Sequence, residues 1–151
     1  MRGYADTGFL GSLYLEEATT RRAETALAGL TEPLPLIPLA ILEFRNTLNL
    51  AIARGRISEA ERDASWRRFQ AHIETGVFTQ MAIPAEELHG KARELSDRYT
   101  PRLATRSLDL LHVAAALLLG AKVLYSFDER QRQAAAGEGL KIKPEAGSPG
   151  T

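Results

Sequence analysis

Four carboxylates, far apart along the chain, each stand where an apolar stretch meets the end of a predicted helix or strand. They are Asp6 in YADTGFL, Glu43 in AILEFRN, Asp109 in RSLDLLHVAAA and Asp128 in YSFDER. Two unit charges at ~4 Å repel each other by roughly 4 kcal/mol at an effective dielectric near 20. Acids gathered in one cleft therefore favour a bound cation or a retained proton. If the fold brings these side chains together, we expect a cation-binding cleft.

Each acid by itself also has a purely structural explanation. Asp6 follows a predicted strand and precedes a helix, where aspartate is a favoured N-cap. Asp128 and Gln131 have the spacing of a capping box. Asp109 lies in a first helical turn, where the helix dipole favours a negative charge, and Glu43 has the mid-helix position of a solvated residue. The hypothesis of a site therefore depends on the set, because the carboxyl ends of parallel strands line the ligand crevice of such sheets.

The elements that must position these acids alternate between strands and helices. Hydrophobic periodicity, caps and glycines predict strands at 2–5, 33–38, 78–83, 122–126 and 140–142. The predicted helices are 7–17, 20–29, 39–53, 58–75, 84–99, 107–120 and 128–136, with a loop at 101–106. This order predicts an α/β fold with a central parallel sheet flanked by helices on both faces. We expect one domain over residues 1–143 and a disordered tail, rich in Gly, Ser and Pro, over 144–151.

Composition excludes several classes of protein. The 151 residues include no cysteine, which excludes disulfides, zinc–thiolate sites and thiol nucleophiles. No apolar run approaches the ~20 residues of a membrane span, and the start does not read as a secretory signal, so we expect a cytoplasmic protein that does not enter membranes. The formal net charge is zero. Any contact with nucleic acid must therefore come from a local basic patch.

Histidine and arginine residues near the acids suggest supporting roles. His112 shares a helix face with Asp109, and we interpret it as a hydrogen-bonded histidine of the core or behind the site. Arg106 lies just before the same helix and is our candidate for contact with a substrate, because arginine suits bidentate phosphate contact. His72, His89 and His112 do not have the spacing of zinc ligands, so we expect no zinc site.

The four acid contexts together resemble the PIN domain, and especially the VapC-type toxins of bacterial and archaeal toxin–antitoxin pairs. The resemblance extends from the first strand to about Ile142. The residues that carry it are Asp6 with Thr7, Glu43 in LEFRNTL, Asp109 in LDLLHVAAAL, and Asp128 in SFDER. The ordered set at these spacings is more specific than any one of its members.

The resemblance implies a ribonuclease that depends on Mg²⁺ or Mn²⁺ and carries an acidic cleft at the carboxyl ends of its strands. Asp6 and Asp109 would be the principal metal ligands, and Glu43 and Asp128 would complete the set, directly or through water. Thr7 and Ser126 occupy positions of hydroxyl residues that orient the acids. Gly8 departs from the family pattern, in which many members carry Ser or Asn. The implied partners are an RNA substrate, a cognate antitoxin protein and a second copy of the chain in a homodimer.

Two other functions are compatible with an α/β fold that carries an acidic cleft. A phosphoacceptor signalling domain also combines a parallel sheet with an acidic magnesium site, but it needs paired acids after the first strand and an acceptor Asp after the third. Here Ala5 precedes Asp6, and residues 78–84 include no acid, which excludes that class. The remaining alternative is a PIN-like module without catalysis that binds RNA or protein. The presence of all four acids favours the nuclease.

Overall fold

The computed structural model of the protein describes residues 2–146, and over that range five short strands alternate with seven helices. The strands are β1 (Gly3–Ala5), β2 (Leu34–Leu36), β3 (Phe78–Gln80), β4 (Val123–Tyr125) and β5 (Lys141–Lys143). The helices are α1 (Thr7–Tyr14), α2 (Thr20–Leu27), α3 (Pro38–Ala53), α4 (Glu59–Glu74), α5 (Ala85–Leu103), α6 (Ser107–Leu118) and α7 (Glu129–Gly137). None of these helices is long and apolar enough to cross a membrane.

All strand pairs in the described structure are parallel, as the alternation of elements predicted. β1 pairs with β4 and β4 with β5, while β2 pairs with β3 in a separate ladder. β2 lies beside β1, so the strands follow the spatial order β3–β2–β1–β4–β5. From β1 the chain adds β2 and β3 on one side, whereas β4 and β5 lie on the other side. The order of connection therefore switches between β1 and β4. In open parallel sheets the ligand crevice opens at that switch point, outside the carboxyl ends of the strands.

The predicted helical hairpin, α3 and α4, is confirmed. Pro38 begins α3, where its missing N–H costs nothing. Ser58 and Glu61 form the predicted capping box of α4, with each side chain accepting a hydrogen bond from the other residue's backbone. Gly55 and Gly76 follow the two helices in the left-handed conformation that ends helices. The hairpin carries Glu43 on its first helix.

The predicted loop at 101–106 was wrong in its first half, because α5 continues through Pro101 to Leu103. Pro101 lies in the last turn of α5, so it removes only one hydrogen bond from the helix end. Leu103 packs against the core, and Ala104 then ends the helix with φ at 53° while its N–H donates to Thr100 O. The hydroxyls of Thr100 and Thr105, 2.7 Å apart, close the turn.

A core of aromatic and aliphatic side chains holds the hairpin against the sheet. β1, β2 and β4 are buried along their whole length. An aromatic cluster then joins α1, α3, α4 and β3: Tyr14, Phe44, Trp66, Phe69 and Phe78. Aromatic pairs in such tilted contacts add about 0.5–1.5 kcal/mol each beyond their buried area. The helix that carries Glu43 is therefore packed firmly against α1.

The chain after β5 is described only through residue 146. Pro144 and Ala146 bracket Glu145, whose backbone carbonyl accepts a hydrogen bond from the Arg22 guanidinium of α2 at 3.4 Å. The rest of the predicted tail, residues 147–151, lies outside the described residues. The domain boundary at residue 143 remains a prediction.

Candidate active site

Asp6 lies in the crevice at the switch point between β1 and β4. The register of these strands sets Ala5 opposite Tyr125, and the Asp6 N–H donates to the Tyr125 carbonyl at 3.1 Å. The Asp6 side chain is 4% exposed and caps α1, since Oδ1 accepts a hydrogen bond from the Phe9 N–H at 2.8 Å. Oδ2 accepts one from the Ser126 hydroxyl at 2.5 Å. The predicted N-cap role of Asp6 is therefore confirmed, and the residue also lies at the carboxyl end of β1.

Burial strongly affects the ionisation of Asp6. Removal from water raises the pKa of this carboxyl from 3.8 to about 6, although hydrogen bonds from Ser126 and the Phe9 amide act in the opposite direction. His112 also lowers this pKa and the Asp128 carboxylate raises it, so both lie within electrostatic range. Asp6 thus keeps its negative charge at neutral pH only at a cost, which a cation would offset.

Ser126 and Gln131 connect Asp128, which follows β4, with Asp6 and with α6. The buried Ser126 hydroxyl accepts a hydrogen bond from the Asp128 N–H at 3.1 Å, and Asp128 Oδ1 accepts one from the Gln131 N–H at 2.9 Å. The Gln131 side chain, 2% exposed, donates to the backbone carbonyl of Asp109 at 3.1 Å. Its Oε1 lies 3.3 Å from Ser126 Oγ. Gln131 therefore fixes the first turn of α6 relative to Asp6 and Asp128.

One oxygen of the Asp109 carboxylate is buried and accepts no hydrogen bond among the described residues. Its Oδ2 is inaccessible to water and accepts no hydrogen bond from any residue in the described structure. Arg106 Nε lies 3.6 Å from this oxygen, and Arg106 Nη2 lies 4.0 Å from Asp128 Oδ2. The arginine side chain is 76% exposed. Arg106 thus stands at the mouth of the crevice between two acids, too far from either for a good hydrogen bond.

Glu43 reaches the crevice from α3 through a second network. Its Oε1 lies 2.5 Å from His112 Nε2 and accepts a hydrogen bond from the Thr7 hydroxyl at 3.2 Å. On the other side of the imidazole, Tyr4 Oη lies 2.8 Å from His112 Nδ1. Glu43 is therefore not the solvated helix residue that its sequence position alone would indicate. His112 has the supporting position that the sequence suggested.

The direction of this hydrogen-bond chain follows from the burial of Tyr4. Burial, and then the charges of Asp6 and Glu43, raise the pKa of the Tyr4 phenol, so it keeps its proton. Its only described hydrogen-bond partner is His112 Nδ1, to which the phenol must donate. A neutral imidazole that accepts at Nδ1 carries its proton on Nε2. His112 Nε2–H therefore donates to the Glu43 carboxylate.

The donor set fits a hard divalent cation that is also held by its substrate. Within residues 2–146, no three His, Asp or Glu side chains form a ready metal-binding group. Mg²⁺ commonly binds through one or two carboxylates, several waters and phosphate oxygens, so it needs no such cage. Carboxylate oxygens are the ligands that such an ion prefers, and two are available here: Asp109 Oδ2, which accepts no hydrogen bond from the described residues, and the carboxylate of Asp6, whose burial disfavours its charge. Glu43 has a second oxygen, Oε2, with no donor among the described residues.

All the predicted site residues lie around this crevice in two connected networks. One network joins Asp6, Ser126, Asp128, Gln131 and Asp109, with Arg106 at its mouth. The other joins Glu43, Thr7, His112 and Tyr4. Neither the role of Tyr4 nor the bridging role of Gln131 was predicted from the sequence. The available signal for Tyr4 was a phenol in a wholly buried strand, which needs a polar partner.

Comparison with known proteins places this arrangement in a family context. The family model described as "PIN domain" matches residues 4–137. A search of curated proteins finds no match.

Solved structures with the same fold include three from bacteria. Mycobacterium tuberculosis VapC20, described as a toxin that cleaves the sarcin–ricin loop, is 20% identical with a TM-score of 0.68, over 94% of this chain and 99% of that one. VapBC2 from Rickettsia felis, bound to a promoter DNA fragment, is 11% identical with a TM-score of 0.67, over 95% and 98%. FitAcB from Neisseria gonorrhoeae is 14% identical with a TM-score of 0.65, over 93% and 95%. At these identities the similarity establishes a shared fold.

Proposed function

Because the chain belongs to the PIN domain family, we propose that it is a metal-dependent endoribonuclease, which hydrolyses RNA phosphodiester bonds. The observation that carries this proposal is the Asp109 carboxylate, whose buried Oδ2 has no donor although it lies in a crevice with Asp6 and Asp128. The nearest cation is the Arg106 guanidinium, 3.6 Å away and largely exposed. A buried carboxylate oxygen that accepts no hydrogen bond is costly, and a bound metal ion would offset that cost. The sheet topology puts the same crevice at the place where ligands bind.

Asp6 and Asp109 would hold the metal, and Glu43 and Asp128 would complete the acidic set directly or through water. Mg²⁺ or Mn²⁺ suits these oxygen ligands. When bound, such an ion makes its water a better nucleophile and stabilises the charge that develops on the phosphate. The reaction then needs no protein nucleophile, which is consistent with a chain that has no cysteine.

The other residues of the crevice hold these acids in place. Ser126 and the Phe9 amide fix both oxygens of Asp6, so its carboxylate cannot rotate freely. Thr7 and His112 both form hydrogen bonds to Oε1 of Glu43, which leaves Oε2 without a hydrogen bond from either residue. Arg106, exposed at the mouth, is the group that would contact a substrate phosphate. Groups held in this way reorganise little during the reaction, which is the basis of electrostatic catalysis.

The biological role we propose is that of the toxin in a two-component toxin–antitoxin pair. The solved structures with this fold include toxin–antitoxin complexes, which supports an antitoxin partner. The proposal extends to a homodimer acting in the cytoplasm. A small antitoxin gene directly upstream would support it, and co-expression of that gene product should yield a complex whose nuclease activity is suppressed.

The test is cleavage of mixed structured RNAs by the purified, antitoxin-free protein with Mg²⁺ or Mn²⁺. We expect cleavage that EDTA abolishes and that falls by at least 100-fold in Asp6→Asn and Asp109→Asn, as expected when a metal ligand is lost. Asp97→Asn, which changes an exposed aspartate of α5, is the matched control and should cut like the parent. Full activity in both crevice variants would refute the assignment of the site.

A folded protein that cuts none of these RNAs would raise the alternative of a binding module without catalysis. The absence of a three-ligand group in residues 2–146 is the observation on its side. Calorimetric titration with Mn²⁺ separates the cases. Mn²⁺ binding that is lost in Asp109→Asn would support a nuclease with a narrow RNA target. No Mn²⁺ binding, with or without RNA, would favour the binding module.

A further inference from the structure

A basic groove lies next to the crevice, between α2 and the end of β5. The larger of its two hollows has a volume of about 690 Å³ and is lined by Arg21, Arg22 and Lys143, with Glu145 as its single acid. A smaller hollow of about 220 Å³ continues along the edge strand to Lys141 and has no acidic lining residue. Lys143 lines both hollows. Lys141 and Lys143 are two residues apart in one strand, so both side chains stand on the same face of the sheet.

The groove begins directly beside the candidate active site. Lys143 ends β5 at the carboxyl edge of the sheet, and its carbonyl accepts a hydrogen bond from the Ser126 N–H at 3.0 Å. Phe127, between Ser126 and Asp128, lies under the guanidinium of Arg22, 5.3 Å from ring centroid to Cζ. A chain molecule that leaves the crevice past Phe127 therefore enters the groove at once.

The acidic crevice and the basic groove would contact different parts of one polyanion. The crevice is acidic, so it repels the phosphates on either side of a bond that is to be cut. Those flanking phosphates need cations outside the acidic set. Arg21, Lys141 and Lys143 have no side-chain partner in the described structure, so their charges are available. With a net charge of zero over the chain, this concentration of basic groups is a local feature.

We propose that the groove is a phosphate-binding track, which holds the single-stranded RNA that flanks the bond to be cut. This inference rests on the proposed nuclease function and adds a binding site to it. Arg21, Lys143 and Lys141 contact successive phosphates, while Arg22 packs on Phe127 and joins the track to the crevice. The track therefore governs the binding of long substrates and leaves the chemical step unchanged.

The test measures RNA binding separately from cleavage. All variants carry Asp6→Asn, so that bound RNA stays intact, and binding of fluorescent single-stranded RNA is followed by anisotropy over a range of salt concentrations. The track variant combines Arg21→Gln, Lys141→Gln and Lys143→Gln. The control variant removes the same charge with Arg54→Gln, Arg67→Gln and Arg93→Gln, which are exposed basic residues that line neither hollow.

Each single-strand phosphate contact contributes about 0.7 to the slope of log affinity against log salt, so three lost contacts reduce the slope by about 2 and the affinity about 100-fold at roughly 0.1 M salt. The control variant should bind like the parent. Equal affinities and slopes for the track and control variants would overturn the track. Loss of binding to poly-glutamate without loss of RNA binding would also overturn it, in favour of an acidic protein partner.

Cleavage by the same charge variants, without Asp6→Asn, completes the test. We expect the track variant to have a raised KM for long RNA, an unchanged kcat, and normal cleavage of oligonucleotides too short to reach the groove. A parent protein that neither binds nor cuts RNA would refute the proposed function itself. A parent that cuts RNA, with KM unchanged in the track variant, would refute only the track.

Discussion

Replacing the buried acid at the centre of the crevice should make the metal-free protein more stable. Asp6 has a pKa of about 6 in the folded protein, compared with 3.8 for an ordinary aspartate. A difference of one in pKa corresponds to about 1.36 kcal/mol, so the charged form of Asp6 opposes folding by roughly 3 kcal/mol at neutral pH. Asp6→Asn removes this charge. Its amide can still accept from the Phe9 N–H and donate to Ser126, at a cost of about 1 kcal/mol for the altered hydrogen bonds.

The net gain we expect at pH 7 is therefore about 2 kcal/mol, or a rise in Tm of roughly 4–8 °C for a domain of this size. The size of this stability gain depends on pH. Because the folded pKa is raised, the parent's stability is greatest below pH 3.8 and is lost as the pH rises through about 6. The advantage of the variant should thus be absent near pH 4 and complete above pH 6.

The assay is urea unfolding in EDTA at a series of pH values, with Asp97→Asn as the exposed control. A variant that is less stable than the parent at pH 7, or whose advantage does not change with pH, would show that the buried Asp6 charge does not oppose folding. Adding Mg²⁺ should raise the Tm of the parent and leave that of Asp6→Asn unchanged, since only the parent has the ligand. A stable but inactive Asp6→Asn would also show that its loss of cleavage does not come from misfolding.

Two further predictions concern contacts around the crevice and at the far end of α7. Tyr4→Phe should destabilise the protein by about 1–3 kcal/mol in urea unfolding, because His112 Nδ1 loses its buried donor. An unchanged stability would contradict the hydrogen-bond chain. Gly137→Ala should lower the free energy of unfolding by about 1–3 kcal/mol. The new Cβ would lie 2.8 Å from the Tyr99 ring and displace the phenol from its 2.5 Å hydrogen bond to Glu138. Denaturant unfolding measures this loss, and a neutral effect would show that the ring can move away.

The fold was predictable because its signals are local. Helix caps such as Ser58 with Glu61, and glycines such as Gly55, act within a few residues, and both mark the ends of helices that the structure confirms. Apolar runs separated by helices were enough to predict parallel strands. The end of α5 was missed because Pro101 is usually a helix breaker. Packing of Leu103 on the core outweighs that local tendency.

The candidate site was predictable only as a set of acids at strand ends. Two of the contacts that define it join residues more than a hundred positions apart, Asp6 with Ser126 and Tyr4 with His112. No local pattern encodes such pairs. A solvated and a crevice-bound Glu43 have the same helical sequence context, and only the approach of His112 distinguishes them. The catalytic roles of these residues remain predictions until the variants are assayed.

The division of the sheet has a consequence for how the crevice can open. In the described structure no ladder of backbone hydrogen bonds joins β1 to β2, so the part of the fold that carries Glu43 is connected to the part that carries Asp6 by packing and side-chain bonds. The links at the crevice itself are those from Thr7 and His112 to Glu43. Amide hydrogen exchange should therefore show the β2–β3 pair as a separate cooperative unit, with lower protection than β1–β4–β5. Movement between the two units would carry Glu43 away from the other acids only if the packing of Tyr14 on Phe44 were broken at the same time.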